Sequence, residues 1–219
     1  TERTLRKAEC FASVLRALQF RLGTGQLEQA TEVASDVARI GEQHGFDSWT
    51  LAGAAQLVTA GAVSALEAEE VDPAELQTHI AALNTFVDAW RAFGVISLIT
   101  FYDAVIARLL VAAGNLAEAR DRVDAALRLA AETGMRFHDA ELLRIRAHTH
   151  VDDEVRSANL RRAIELARDQ NALIYELRCT IDDFKLRGEP ARQGLTDAVN
   201  RFSADSTWPP LAHARALLG

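Results

Sequence analysis

The sequence predicts an all-α fold: one domain over residues 1–219, built from about ten to eleven helices arranged as stacked antiparallel pairs. Three observations predict it. Apolar residues recur with a helical period almost throughout, β-branched runs are short, and only four prolines interrupt the pattern. Four amphipathic stretches close alike, on Gly45, Gly94, Gly134 and Asn171, at intervals of 49, 40 and 37 residues. Repetition on that scale belongs to helical hairpins, none of which buries its own apolar face, so that neighbours supply the rest of the core. Finally, two stretches coincide in register. Setting Gly25 on Gly114 also sets Gly45 on Gly134, and pairs Leu27 with Leu116, Ala30 with Ala119, Ala34 with Val123, Val37 with Ala126 and Ile40 with Leu129.

The elements follow in order. Leu5 to Leu22 reads as the first helix, broken by Gly23-Thr24-Gly25. Gln26 to His44 is the second, with Leu27, Ala30, Val33, Ala34, Val37 and Ile40 on one stripe and Gly45 just past its end, where a left-handed conformation costs glycine little. Asp47 or Ser48 caps a third helix that runs to about Glu69 and buries Leu51, Ala54, Ala55, Val58, Ala62 and Leu66. Asp72-Pro73 starts a fourth, with an N-cap acid and Pro at the first helical position. It carries Leu76, Ile80, Leu83, Val87 and Trp90 and stops near Gly94.

Helix five covers Val95 to Ala113, helix six Leu116 to Thr133, and helix seven Arg136 to His150. Val151-Asp152-Asp153 is a turn before helix eight, Glu154 to Gln170, whose stripe is Leu160, Ala163, Ile164 and Ala167. Helix nine runs from Leu173 to Leu186 and ends at Gly188-Glu189-Pro190. A helix near 191–202, a loop at 203–208 and a short Pro-started helix to Leu218 complete the array.

Composition narrows the function classes. The net charge is −7 and no strongly basic block occurs, which weighs against a sequence-independent grip on nucleic acid, since that needs clustered Lys/Arg. Cys10 and Cys179 lie far apart and outside any CxxC or Cys/His run, as two idle thiols of a reducing cytoplasm would. The polar start, Thr1 to Lys7, enters a helix pattern directly and has no signal-peptide character; a chain that opens mid-pattern reads as part of a longer protein. Val95 to Ala113 is apolar nearly all round, but Asp103 and Arg108 would each cost roughly 2.5–3.5 kcal/mol at a bilayer centre, whereas a helix sandwiched between neighbours avoids that cost. No GxxxxGK[ST] phosphate loop occurs, since Gly23-Thr24-Gly25-Gln26 lacks the lysine and the spacing, and no nucleophile elbow accompanies the serines and histidines.

Gly114-Asn115-Leu116 followed by Ala119, Val123 and Ala126 resembles the turn and second helix of the tetratricopeptide repeat, with Val123, and Ala34 in the earlier copy, where that repeat has an aromatic. The resemblance implies a right-handed superhelix with longer helices than the standard repeat. From Ala126 the chain resembles the C-terminal repeat region of large bacterial regulators, which join a nucleotide cyclase or a LuxR-type DNA-binding domain to a STAND-type ATPase. The residues are Ala126 to Arg146, Leu160 to Arg168, Tyr175 to Arg178 and Leu211 to Leu218. That resemblance implies a cytoplasmic, non-catalytic regulatory module that binds a protein partner, adjacent domains of its own chain or a small-molecule inducer, without a cofactor.

Helix seven is the candidate site. Arg136, His138, Glu141, Arg144, Arg146, His148 and His150 crowd it, and His138, Glu141, Arg144 and His148 recur at spacings of three and four that place them on one face. Two readings stand: a strip that contacts ligand or peptide, or an ion-pair seam between adjacent helix pairs. Tyr102 and Asp103 on helix five either join the strip or are satisfied core groups. His148 and His150 point roughly 200° apart on a helix, which argues against a shared metal ion. Asp182-Asp183 reads as a solvated face paired locally with Arg178 or Arg187, and Trp49, Trp90 and Trp208 as core or capping aromatics. Two other functional readings are a homodimer through Leu15, Leu18 and Leu22, and a sensor with a closed pocket between helices five and seven.

Overall fold

A computed structural model describes residues 2–15, 26–68, 70–96 and 98–219. Among these every regular element is helical: α1 (Glu2–Leu15), α2 (Leu27–His44), α3 (Asp47–Glu67), α4 (Pro73–Ala92), α5 (Ile99–Ala112), α6 (Leu116–Thr133), α7 (Asp139–His148), α8 (Asp153–Asp169), α9 (Leu173–Arg187), α10 (Arg192–Asn200) and α11 (Pro209–Leu218), with a 3-10 turn at Glu189–Ala191. The chain forms two compact units, Thr1–Phe93 and Gly94–Gly219, at a point where no linker composition marks a boundary. The first break, Gly23-Thr24-Gly25, and the leucines Leu18 and Leu22 lie outside the described residues, as does the side chain of Leu15.

All four closures that set the period, Gly45, Gly94, Gly134 and Asn171, have left-handed backbone, with φ of 63°, 71°, 74° and 52°. Glycine adopts that region without a Cβ clash, and Asn is the side chain that tolerates it best. The register match also holds. α2 and α6 are each 18 residues long. Ala30, Ala34 and Val37 of α2 are buried at the positions where α6 buries Ala119, Val123 and Ala126.

In the first unit α2 packs on α1 and α3, and α3 packs on α4. The α2–α3 contact is a close backbone approach. A Cβ on Gly53 would lie 2.5 Å from the Ala38 nitrogen, and one on Gly41 would lie 2.6 Å from that of Thr50. This fixes the rotation of α3, which differs from the sequence expectation. Ala52, Gly53, Ala55, Gln56, Thr59, Ala60, Ala62, Val63 and Ala65 are buried, whereas Leu51, Ala54, Val58 and Leu66 are only half-buried. Small residues face α2 because only they admit its backbone, and the larger apolar residues sit beside the contact. Neither Asp47 nor Ser48 caps α3. Phe46 occupies the N-cap, buried, with the Trp49 and Thr50 amides on its carbonyl. α3 is long and apolar enough by composition to cross a membrane, and half of that stretch is buried inside the unit, as a core helix requires. α4 matches expectation. Asp72 Oδ1 accepts from the Ala74 amide at 2.9 Å, Pro73 opens the helix, and Leu76, Ile80, Leu83, Val87 and Trp90 are buried.

In the second unit α5 packs on α6, α7 on α8, and α9 on α10. α6 also packs on α7, α8 on α9, and α5, α7, α9 and α11 contact one another in succession. α7 therefore has neighbours on nearly every side. Leu142 and Ile145 join Ala104, Ala107, Val123 and Ala126 in one core, and Leu143 joins Ala163, Ile164 and Cys179 in another. A third core joins Leu177, Ile181, Leu195, Ala198, Leu211 and Ala214 across α9, α10 and α11. Trp208 packs edge-on against Phe202 at 5.6 Å beside that core. α8 is capped by Asp152, whose Oδ1 accepts from the Glu154 and Val155 amides at 2.8 and 3.1 Å.

Candidate functional site

α7 is shorter than its charge pattern suggests. It spans Asp139–His148 rather than Arg136–His150, so Arg136 precedes the helix and His138 sits at its N-cap. Thr149 ends it: the Thr149 hydroxyl donates to the Arg146 carbonyl at 2.8 Å, and Arg120 of α6 donates to both oxygens of Thr149. α5 likewise begins at Ile99, not Val95.

On one side of α7 a chain of buried charge runs to α9. Arg144 grips Glu141 with two bonds of 2.8 Å, from Nε and Nη2, and donates from Nη1 to Asp182 Oδ2 at 2.6 Å. Arg178 donates to Glu141 Oε1 at 3.3 Å. His148 Nε2 lies 2.6 Å from Asp182 Oδ2. Glu141 is buried and Asp182 half-buried, and desolvation by itself raises a carboxyl pKa, but Arg144 together with Arg178 at Glu141 and with His148 at Asp182 outweighs it. Both carboxyls are held well below the usual range. Burial pulls the Arg144 pKa down, and Glu141 and Asp182 more than reverse it. Asp182 is therefore a partner across helices rather than a solvated local pair. Asp183 does pair locally with Arg187, but is buried.

His138 is the second feature of this side. It is 9% exposed, its Nδ1 is 3.2 Å from the Thr100 hydroxyl, and its ring lies 5.6 Å from Phe101 and 6.3 Å from Tyr175. Burial lowers its pKa to about 4 against the attraction of Glu141. The ring is therefore neutral at pH 7. Phe101, Arg108, Tyr175 and Arg178 surround it and Glu141 while remaining partly accessible. Tyr102 and Asp103 do not reach this surface. Tyr102 is fully buried, and Asp103 accepts from Arg122 at 2.7 Å inside the α5–α6 contact.

The structure thus unites His138, Glu141, Arg144 and His148 and adds Tyr175, Arg178 and Asp182 from α9. Those three recur at spacings of three and four, a signal visible in the sequence once α9 is set beside α7. Arg136 is separate, donating to Asp139 at 2.8 Å.

On the opposite side of α7 a cleft of about 550 Å³ opens between α6 and α8. Asp139, Leu143 and Arg146 form its floor, a stripe of one helix face roughly half a turn from Glu141, Arg144 and His148. Arg146 donates to Asp124 at 2.8 Å and to Asn159 at 3.2 Å. Asp139 is 2% exposed, and its Oδ1 has no hydrogen-bond partner among the described residues. An orphaned buried polar atom costs roughly 1–3 kcal/mol. Between α5 and α7, where the sequence suggests a sensor pocket, His138 packs on Thr100 and Phe101.

No group of three or more His, Cys, Asp or Glu side chains poised for a metal occurs among the described residues. Cys10 and Cys179 are both free and buried, and burial raises both thiol pKa values. No family model, curated protein or solved structure matches the chain, so its functional reading rests on packing and side-chain chemistry.

Proposed function

We propose that this chain is a non-catalytic interaction module of a bacterial signalling or transcriptional regulator, and that the α5–α7–α9 side of its second unit is the surface that meets a partner. The observation that carries the reading is the packing order there: helices pair in sequence, and the first members of successive pairs touch one another. This is the order expected of a tetratricopeptide-like right-handed superhelix, whose first-of-pair helices line the inner surface. The resemblance of Ala126–Arg146 to the repeat region of cytoplasmic bacterial regulators points the same way.

The chemistry of the surface agrees. Its accessible groups are Phe101, Arg108, Tyr175 and Arg178, the aromatic and arginine types that carry most binding energy at interfaces. The ion pairs beneath, Glu141–Arg144–Asp182, fix α7 against α9 and so hold these groups in place before binding. A partner or a neighbouring segment of the same polypeptide acts by preferring one arrangement of the helices and biasing an attached effector.

Site-specific photo-crosslinking in the native host tests it. A crosslinker at position 101 or 178 captures one discrete partner, or one segment of the same polypeptide, and Tyr175→Ala removes the capture. A crosslinker at the exposed Glu118 of α6 does not capture it. The same faint background at all three positions contradicts the proposal.

A further inference from the structure

We propose that the cleft between α6, α7 and α8 is a binding site for a linear organic cation, an ammonium or guanidinium carried on an aliphatic body, with the Asp139 carboxylate as its anchor. The site lies on the other side of α7 from the partner surface and does not depend on it.

Four features of the cleft define the ligand. Its volume, about 550 Å³, suits a small molecule or a single long side chain. Leu127, Leu143 and Leu166, one from each helix, give it an apolar lining along which a methylene chain lies. Asp139 is nine-tenths buried or more, and one of its oxygens lacks a donor. Native structures rarely leave such an atom unsatisfied, and a carboxylate oxygen accepts readily from a cationic N–H. Among the described residues the carboxylate's one ion pair is with Arg136, whose own side chain is 56% exposed, so that this arm yields to a ligand cation without breaking into the core.

Charge sets the direction. On α8 the cleft-lining positions are Arg162, Glu165, Leu166 and Asp169, which follow one another at helical spacing. Asp169 stands toward the Asp139 end, because the next residue, Gln170, donates to the Arg136 carbonyl at 2.9 Å. Arg162 stands toward the other end, one turn from Asn159, which binds Arg146. The cleft is therefore acidic where Asp139 lies and basic at the far end, where Arg146 is already neutralised by Asp124. A cationic head goes to Asp139, and a second anion there would be repelled.

Two sources supply this chemistry, a free alkyl amine and the lysine side chain of a peptide. Titration of the intact chain with 1,6-diaminohexane, with the blocked peptide acetyl-Ala-Lys-Ala-amide and with hexanoate separates them. At ten times its dissociation constant a true ligand raises the melting temperature by about 3–5 °C. At least one of the two cations does so, the tighter one naming the source, and hexanoate does not. Asp139→Asn weakens the binding at least about tenfold. Arg136→Gln, which removes the competing guanidinium at an exposed position, tightens it about threefold and keeps the test decisive if Asp139→Asn fails to fold. The proposal is overturned if neither cation binds, if hexanoate binds as well as they do, if folded Asp139→Asn binds undiminished, or if Arg136→Gln binds no more tightly.

Discussion

The two units of this molecule hold their helices together in different ways. In the first, the ion pairs described are local, and all but the half-buried Arg6 and His79 are exposed: Arg6–Glu9, Arg39–Asp36, His79–Glu75 and Arg91–Asp88 each span three or four residues of one helix. Its helices meet through small side chains, with Gly41 and Gly53 set against neighbouring backbone. In the second, charge crosses between helices: Arg122–Asp103, Arg144–Asp182, Arg146–Asp124, Arg178–Glu141 and the two arginines, Arg168 and Arg201, on Glu176. Exposed local pairs are worth little, whereas breaking a buried pair leaves an uncompensated charge in low dielectric. The first unit should therefore be sensitive to added volume, and the second to lost charge and to acid.

The largest break expected is in the second unit. Glu141→Ala takes from Arg178 its carboxylate and leaves Arg144 with Asp182 alone, and should cost about 3–5 kcal/mol in urea unfolding. Replacing Glu141, Arg144, Arg178 and Asp182 together by Leu, Met, Met and Leu should recover most of that loss, because well-packed apolar groups often match a buried ion network. Acid follows. The folded pKa of His138 is about 4 and its ordinary value 6.5, so between these limits the unfolded chain binds a proton that the folded chain refuses. Stability should be level for this group above pH 7 and fall as pH drops from 6.5 to 4, by roughly 3 kcal/mol in all. The difference between wild type and His138→Gln isolates it from His150 and His213, whose pKa values are also lowered. Glu141 and Asp182 act on the acid side of this window, where an unfolded carboxylate takes up its proton.

In the first unit, Gly53→Ala forces a Cβ against the Ala38 backbone and should cost about 1–3 kcal/mol. Gly61→Ala should do the reverse. Its nearest neighbour is the His79 ring tip at 3.0 Å, a side chain that can swing away, and the helix gains up to about 1 kcal/mol of propensity. The smallest effect is shared by both units. Asp72→Ala and Asp152→Ala each remove an N-cap acceptor and should cost about 1 kcal/mol by chemical denaturation.

Sequence and structure agree where a local rule is enough. Asp72-Pro73, the four closing residues, and the stripes of α2, α4 and α8 all appear as read, because capping, left-handed backbone and strong amphipathicity are properties of a few consecutive residues. α3 shows where such rules run out. A helix apolar on most sides has no distinct stripe, and its rotation is set by which residues admit the α2 backbone. The ends of α7 were hidden for a related reason. Its last turn is closed by Arg120 of another helix, not by a local break. Of the site, Glu141, Arg144 and His148 were legible from spacing alone. Asp182 was not, since its partners are 34 and 38 residues away and the neighbouring Arg178 offered a nearer match.

A double-mutant cycle on Arg144 and Asp182, set beside one on Arg39 and Asp36, tests the central contrast most directly. Charge buried between α7 and α9 predicts a coupling of about 1.5 kcal/mol or more for the first pair and about 0.5 kcal/mol or less for the second. Equal couplings would contradict it.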